Sequence, residues 1–319
     1  ARDHGSEGAT MKPVRVAAAQ LAPVFMDTAA TLAKAADAVR EAARNGAELV
    51  VFPEAFVPGS PFWAMTLDPM SINPFVQRLY AEAVQIPAPG ASSAVLAGIC
   101  AAARESHIAV CLGISERSGG TLFNSQLFLG SDGAIVGCRR KLMPTSHERM
   151  VWGRGDGSDL RIFEFPFGRV GGLICYEHAN PLFRYALIGQ GEEIHIATWP
   201  GLGGISTIVD AACRHHAFEA QAFVVSVTSV MTAATLEALG TGGSSAKLQV
   251  GGGYTAILTP RGDFLAGPQR EGEAILYADL DPALIDKAKS IVDSVGHYAR
   301  PDVVRLHLDR TAQRSLVDD

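Results

Sequence analysis

Short apolar runs typical of β-strands alternate with amphipathic helical segments along the whole sequence of 319 residues. Residues 14–21, 47–53 and 169–174 are largely apolar, which is typical of strands buried on both faces of a sheet. Between the first two runs, apolar side chains recur at helical spacing after a capping position at Asp27 or Thr28. Because strands and helices interleave without a linker or a repeat, the sequence predicts an α/β fold with mixed sheets.

The same patterns set the expected boundaries of the remaining elements and of the domain. Further helices are predicted at 74–84, 92–106, 206–221 and 282–289, and further strands at 108–116, 122–130, 133–139, 160–165, 194–198, 222–228, 254–258 and 274–279. Residues 55–72 and 142–159 are predicted long loops, and the Gly/Ser-rich stretch 240–245 is predicted to be mobile. We expect one domain over residues 11–310, a tail over 311–319, and a flexible or artificially added segment over 1–10.

Composition excludes several classes of function. The formal net charge of -6 argues against a nucleic-acid partner, which favours a basic surface. No apolar run reaches the roughly 20 residues that span a bilayer, and residues 1–10 lack the apolar core of a signal peptide. The five cysteines are odd in number and show no CxxC spacing. This pattern predicts free thiols in a reducing cytoplasm rather than a disulfide framework.

Three chemically competent side chains each follow a strand-like run. Cys175 ends the run 169–174 and precedes a turn and a predicted helix at 182–190, where a helix amino-terminus favours a thiolate. Glu54 follows the run 49–53, and Lys141 follows the run 133–139. Taken alone, each has an ordinary explanation, such as a core thiol or a solvated charge. Together they predict a nucleophile, a general base and a charge stabiliser.

Five short blocks carry a resemblance to a known family. They are 16–20 (VAAAQ), 52–54 (FPE), 140–145 (RKLMPT), 172–177 (GLICYE) and 197–200 (ATWP). In this order the chain resembles the carbon–nitrogen hydrolase (nitrilase) superfamily over roughly residues 14–308. The resemblance implies a four-layer α-β-β-α sandwich and a catalytic set of Glu54 as base, Lys141 as charge stabiliser and Cys175 as nucleophile.

The resemblance also assigns supporting roles near these three residues. Glu148 lies seven residues after Lys141, the position of a second active-site glutamate in many members, where it would orient the lysine and the hydrolytic water. Alone, a loop glutamate is more often solvated. The backbone N–H of Tyr176 would join Lys141 in stabilising negative charge on the substrate.

The substrate pocket is predicted from aromatic residues and from the residues that follow the nucleophile. By default these aromatics belong to the core, but the resemblance implies that Trp199 forms a pocket wall, and Phe62 and Trp63 in the first long loop are weaker candidates for the pocket. Glu177 is a further candidate for substrate binding, although an acidic residue at a helix start is commonly structural. Nitrilases usually carry Trp-Glu after the nucleophile, whereas this chain has Tyr176 and Glu177. The segments 181–200 and 296–302 resemble nitrilases more closely.

The histidines show no metal-binding spacing. Cys213, His215 and His216 fall within one predicted helix without an acidic partner, and His178 and His195 are isolated in the sequence. Zinc sites normally show paired Cys or His ligands at short, regular spacing. We therefore predict no metal, and the chemistry implied by the family needs no cofactor.

The resemblance implies hydrolysis of an organic nitrile to a carboxylic acid and ammonia. Alternatives are an amidase or carbamoylase using the same residues, a cyanide-hydrolysing enzyme, and a non-catalytic assembly protein. The partner is then a small nitrile, with no nucleic acid or membrane. Apolar side chains surround the predicted helix at 181–190 on more than one face, and related enzymes pair in this region. We expect a homodimer or a larger, spiral homo-oligomer.

Overall fold

The computed structural model describes residues 11–88, 91–239, 248–314 and 316. The strands in these ranges are β1 Val14–Gln20, β2 Leu49–Val51, β3 Ala109–Ser118, β4 Thr121–Leu129, β5 Ile135–Arg140, β6 Phe163–Phe165, β7 Gly168–Ile174, β8 Ile194–Trp199, β9 Phe223–Thr228, β10 Thr255–Leu258, β11 Phe264–Gln269 and β12 Ala274–Leu280. The α-helices there are α1 Thr28–Arg44, α2 Trp63–Thr66, α3 Asn73–Glu82, α4 Ala97–Ser106, α5 Pro181–Ile188, α6 Ser206–Ala220, α7 Ala233–Ala238 and α8 Ala283–Lys289. Short 3-10 helices occupy Ser146–Met150, Gly157–Asp159 and Cys175–Ala179.

The strands form two six-stranded mixed sheets. The first has the order β12-β1-β2-β3-β4-β5, and the second has the order β11-β10-β9-β8-β7-β6. At the centre of the first sheet, β1, β2 and β3 are parallel, and at the centre of the second, β7, β8 and β9 are parallel. The parallel strands place their carboxyl ends at one edge of each sheet, which is where α/β proteins carry their sites.

Alternation of side chains along the central strands separates the layers. Val16 and Ala18 of β1 face the second sheet, whereas Ala17 and Ala19 pack under α1 and α4. On the second sheet, Ala197 of β8 packs against the apolar face of α6. The result is helix, sheet, sheet, helix, which confirms the predicted α-β-β-α sandwich.

Buried polar contacts join the two sheets. The Gln126 side chain of β4 donates to the Thr198 hydroxyl of β8 over 3.0 Å. The Thr228 hydroxyl at the end of β9 donates to Gln20 Oε1 at the end of β1 over 3.0 Å. Because a buried polar group must be paired, these contacts fix how the sheets meet beside the strand ends.

Several predicted boundaries differ from the structure. α4 begins at Ala97 rather than at 92, and α2, α7 and β11 were not predicted. β11 lies at a sheet edge and contains Gly267 and Pro268, which weaken a strand pattern. The predicted cap of α1 is confirmed, since the Asp27 carboxylate accepts from Ala30 N. Residues 1–10, the stretch 240–245 and part of the predicted tail lie outside the described residues.

Candidate active site

The ammonium of Lys141 lies between two carboxylates. Its Nζ donates to Glu54 Oε1 and to Glu148 Oε2, each over 2.8 Å. The Lys141 side chain is fully buried, and both carboxylates are nearly so. Three charged groups in one water-excluded place require mutual pairing, and this is the geometry that the structure shows.

A glycine in β3 allows the backbone to hold Glu54 in place. A Cβ at Gly113 would lie 1.9 Å from the carbonyl oxygen of Pro53, so only glycine permits the segment after β2 to pass so close. Val57 N donates to the Gly113 carbonyl over 3.0 Å and ties the far side of the same segment to β3. The carboxylate is thus fixed by backbone packing at the carboxyl end of the first sheet.

Asn124 of β4 is a site residue that the sequence reasoning missed. Its Nδ2 donates to Glu54 Oε1 over 2.7 Å, and its backbone carbonyl accepts from the backbone N of Lys141 over 2.7 Å. Glu54 Oε2 is buried and has no hydrogen-bond partner among the described residues. An asparagine inside a strand carries no motif of its own, and only the fold brings it beside Glu54.

Burial acts in opposite directions on the pKa values of Glu54 and Lys141, which form a buried ion pair. Burial raises the pKa of Glu54 to about 7, and Glu148 acts in the same direction, while Lys141 lowers it. For Lys141, burial lowers the pKa, but Glu54, Cys175 and Glu148 together hold it above its usual value. Glu54 is therefore suited to exchange a proton near neutrality, whereas Lys141 stays charged.

Cys175 lies where β7 turns into the 3-10 helix Cys175–Ala179. Its backbone has φ +52°, a left-handed conformation that costs free energy outside glycine and is typical of functional sites. Burial, Glu54 and Glu148 hold the pKa of the thiol well above its usual value, against the opposing effects of Lys141 and the backbone N–H of Tyr176. The backbone N–H at the start of this short helix favours the thiolate, but burial outweighs it, so the thiol needs a base such as Glu54.

Glu148 belongs to the 3-10 helix Ser146–Met150, and one oxygen of its carboxylate accepts two hydrogen bonds. Oε2 accepts from Lys141 Nζ and, over 2.7 Å, from the backbone N of Thr145. The structure therefore brings Glu148 to Lys141, as the family resemblance implies.

Glu177 does not line the cavity beside Cys175, which corrects its assignment to substrate binding. Both of its carboxylate oxygens accept from Arg139 Nη2, over 2.6 and 2.7 Å, and both side chains are buried. The same oxygens accept from Ile174 N and Leu142 N over 2.8 and 2.7 Å. With all these donors in place, the carboxylate braces the backbone beside Cys175 and Lys141 and has no position free for a ligand.

A small cavity of about 60 Å³ opens beside the thiol. Its walls include the predicted residues Trp199 and Phe62, together with Glu148. Trp63 is not among them: it is fully buried and stacks on Phe75 at 5.5 Å, so its assignment to the pocket is corrected to core packing. The other side chains around the cavity are Ser60, Pro61, Met65, Thr145, His147, Tyr176, Pro200, Leu202, Ile205 and Ile208.

The histidines that are isolated in the sequence meet in space. Glu192, His195 and His216 place one potential metal-ligand atom each within 4.8 Å of one another, and all three are buried. The Glu192 oxygens contact His195 Nδ1 over 2.9 Å and His216 Nε2 over 2.6 Å. The atoms that could bind a metal are therefore already paired with one another.

Comparison with known proteins supplies the family. The carbon–nitrogen hydrolase family model matches residues 15–290. This chain belongs to the carbon–nitrogen hydrolase family. Within that family, it is 44% identical to a nitrilase from Paraburkholderia phymatum over 94% of this chain and 88% of that protein. It is 41% identical to an aliphatic nitrilase from Rhodococcus rhodochrous over 93% of this chain and 82% of that protein.

A solved structure with low sequence identity has the same fold. The carbon–nitrogen hydrolase from Helicobacter pylori aligns with a TM-score of 0.72 and 18% identity, over 91% of this chain and 97% of that one. At this identity the likeness concerns the fold alone. Among the described residues of the present chain, no helix combines the length and the apolar character needed to cross a membrane.

Proposed function

We propose that this carbon–nitrogen hydrolase is a nitrilase, which converts R–C≡N and two waters to R–COOH and ammonia. The observation that carries the proposal is the buried Lys141 ammonium paired with Glu54 and Glu148 beside the Cys175 thiol. The nitrilase names of relatives that align over most of the chain support the substrate class. The hydrolysis is complete with acid–base and covalent steps alone.

In the first half of the reaction, Glu54 takes the proton of Cys175. The sulfur then attacks the nitrile carbon, and the nitrogen receives a proton, which gives a thioimidate. Because the pKa of Glu54 is about 7, its carboxylate is available to accept the thiol proton and its acid form can return that proton. Lys141 and the backbone N–H of Tyr176 would stabilise the negative charge that develops on nitrogen.

In the second half, water adds to the thioimidate carbon and ammonia leaves, so a thioester remains. A second water, deprotonated by Glu54 or Glu148, attacks the thioester carbonyl and releases the acid and the thiol. Glu148 suits this step because Lys141 and the Thr145 backbone already hold one of its oxygens at the cavity.

A paired substrate panel tests the proposal. Purified protein is incubated with aliphatic, aromatic and arylaceto-nitriles and with the corresponding amides, and ammonia and acid are both measured. We expect equal amounts of ammonia and acid from at least one nitrile class. Turnover of amides alone would replace the nitrilase with an amidase, and no turnover of either, with Cys175 unreactive to iodoacetamide, would leave an assembly protein. Inorganic cyanide is included to detect a cyanide-hydrolysing enzyme.

We further propose that the protein works as a homodimer that can extend into a spiral. A groove beside the Cys175 turn is lined by Met143, Tyr176, Leu182 and Phe183. Leu182 is 59% exposed, and Met143 and Tyr176 are each 43% exposed, so apolar surface faces water there. A second copy covering this groove would also support the turn that carries the thiol. Light scattering tests this, and an active monomer of 33.6 kDa would contradict it.

The compartment and the domain organisation are also proposals. All five cysteines are free thiols, which supports a reducing cytoplasm as the place of action. We propose that residues 11–310 act as one unit. Limited proteolysis that left this span intact would support the domain limits, and a stable shorter core would contradict them.

A further inference from the structure

A buried histidine lies directly behind the wall of the cavity. His178 belongs to the 3-10 helix Cys175–Ala179, and its ring stacks on the cavity residue Trp199 with centroids 4.9 Å apart. The His178 Nδ1 atom is 2.7 Å from the carbonyl oxygen of Cys175. Because a carbonyl only accepts, this contact is a hydrogen bond only when Nδ1 carries a proton.

The peptide that His178 contacts is the one that supplies the proposed oxyanion donor. The carbonyl of Cys175 and the N–H of Tyr176 belong to a single planar peptide unit, so fixing one direction fixes the other. That N–H acts on the Cys175 sulfur from the opposite side. Oxyanion donors are effective only when they are held in place before the charge develops. A hydrogen bond to the carbonyl also polarises the amide and strengthens its N–H as a donor.

His178 is the first member of a chain that ends at a carboxylate. Its Nε2 is 3.0 Å from His195 Nε2, and His195 Nδ1 is 2.9 Å from Glu192 Oε2. His216 Nε2 is 2.6 Å from the other oxygen of Glu192. All four side chains are buried, with exposures of 2% or less, so no bulk water completes these contacts.

The hydrogen bonds among Cys175, His178, His195, Glu192 and His216 need one more proton than the neutral imidazoles supply. Four contacts need four protons, because the Cys175 carbonyl and an ionised Glu192 at the two ends can only accept. Three neutral imidazoles supply three. With three, one contact lacks its proton: the two Nε2 atoms of His178 and His195 face each other as bare acceptors at 3.0 Å, the Cys175 carbonyl faces a bare Nδ1, or a Glu192 oxygen faces a bare imidazole nitrogen. A fourth proton completes every contact and makes the cluster neutral overall, which burial favours over a lone anion.

Burial also opposes a charge on any single imidazole of the cluster. It lowers the pKa of His195 to about 4 and that of His178 well below its usual value, although Glu192 acts on His195 in the opposite direction. Such a proton belongs to the coupled chain rather than to one ring. The ionisable groups that act on His178 and His195 are Glu192, His216 and Arg139, the Arg184 guanidinium donates to the His178 carbonyl, and the Cys175 thiol lies across the peptide.

We propose that His178 is a positioning residue that holds the Tyr176 N–H toward the reacting atoms, and that Glu192, through His195, keeps a proton on His178 Nδ1 by means of one proton shared along the chain. The inference rests on the proposed cysteine chemistry for the role of the N–H. It adds a requirement that the Glu54, Lys141 and Cys175 set does not contain.

Two substitutions of His178 separate a hydrogen-bond donor from a ring. In His178→Asn, the amide nitrogen takes the place of Nδ1 and can still donate to Cys175, whereas His178→Phe keeps a ring that stacks on Trp199 but has no donor. We expect kcat of the Phe variant to fall by at least about tenfold, since loss of one oxyanion donor costs about 10²–10³-fold in a protease. The Asn variant should stay within about threefold of the wild type. A Phe variant more active than the Asn variant, with both folded by circular dichroism, would overturn the proposal.

The alkylation rate of Cys175 provides a readout that does not depend on the substrate. The N–H of Tyr176 stabilises the thiolate as well as the substrate charge, so iodoacetamide should modify the Phe variant more slowly than the Asn variant at the same pH. If the wild type hydrolyses no nitrile, the proposed function fails, but this ranking still tests the positioning role. Equal alkylation rates in the two variants would refute that role.

Glu192 tests the shared proton. In Glu192→Gln, the amide can donate to His195 Nδ1, His195 Nε2–H to His178, and His178 Nδ1–H to Cys175, so neutral residues complete the whole chain. We expect Glu192→Gln to stay within about threefold of the wild type and the apolar Glu192→Leu to lose at least about tenfold in kcat. A Gln variant as impaired as the Leu variant would contradict the proton count. If the wild type instead contained one equivalent of zinc that both variants lacked, Glu192, His195 and His216 would form a metal site and the shared-proton proposal would be wrong.

Discussion

Replacing Glu177 with glutamine is expected to destabilise the protein far more than its position in the chain suggests. The carboxylate accepts from Arg139 with both oxygens and from the backbone of Ile174 and Leu142. The glutamine side chain would keep one acceptor oxygen and present an amide N–H₂ to donors on the other side. The change therefore leaves a buried guanidinium without a counter-charge and one backbone N–H without an acceptor.

The magnitude follows from these two losses. Removing one partner of a buried ion pair costs about 3–5 kcal/mol, because the remaining charge stays out of water. A buried backbone N–H without an acceptor costs about 1–3 kcal/mol more. The sum of roughly 4–8 kcal/mol is comparable to the whole stability of many domains, about 5–15 kcal/mol. We expect Glu177→Gln to unfold at markedly lower urea concentration and to lose activity at temperatures where the wild type is active.

Urea unfolding followed by fluorescence and circular dichroism measures the effect. Asp279→Asn is the matched control, since it breaks the exposed pair with Arg15 and should cost less than about 1 kcal/mol. The double variant Arg139→Met with Glu177→Gln removes the unpaired guanidinium charge of Arg139, so it should be more stable than Glu177→Gln alone. A loss for Glu177→Gln no larger than that for Asp279→Asn would refute the reasoning.

Four further outcomes test the proposed chemistry. Cys175→Ala should fold normally and release no ammonia, while Cys213→Ala should remain active; comparable turnover by Cys175→Ala would end the proposal. Lys141→Ala should lose at least about a hundredfold in kcat, from one oxyanion-type donor worth about 2.7–4 kcal/mol, and a loss below about tenfold would make the lysine structural. Glu148→Gln should slow breakdown of the intermediate, so mass spectrometry should find an adduct on Cys175; unchanged steady-state rates would contradict this. Since the pKa of Glu54 is raised to about 7 and its carboxylate is the base, kcat/KM should rise as pH increases through about 7, and a flat profile there would argue against that role.

The sequence predicts what strand ends and local patterns determine. The α/β layering follows from the alternating apolar runs, and the meeting of Glu54, Lys141 and Cys175 follows from the family resemblance, since their strands belong to two different sheets. Glu148 was expected only from the family resemblance, in which a second glutamate lies seven residues after the lysine, and in the structure a capping turn at Thr145 brings it back to Lys141.

Contacts between distant segments were not predictable in this way. Asn124 reaches Glu54 across 70 positions, and His195, which contacts Glu192, reaches His178 only after β8 pairs with β7. Glu177 stands where an acidic residue at a helix start is common, and the sequence around it does not indicate that Arg139 is buried against it. The resting state of the thiol depends on burial, which a turn-and-helix pattern does not measure.

The balance of charge around Lys141 also affects the end of each reaction cycle. When Glu54 and Glu148 are both ionised, two carboxylates surround one ammonium, and this buried group carries a net charge of minus one. A nitrile enters without charge, whereas a carboxylic acid with an ordinary pKa near 4 is an anion at neutral pH. The pocket therefore binds an uncharged molecule and repels the anion that it makes. We expect like-charge repulsion to favour departure of the acid at pH values above the pKa of Glu54, about 7, and accumulated product to inhibit the enzyme only weakly.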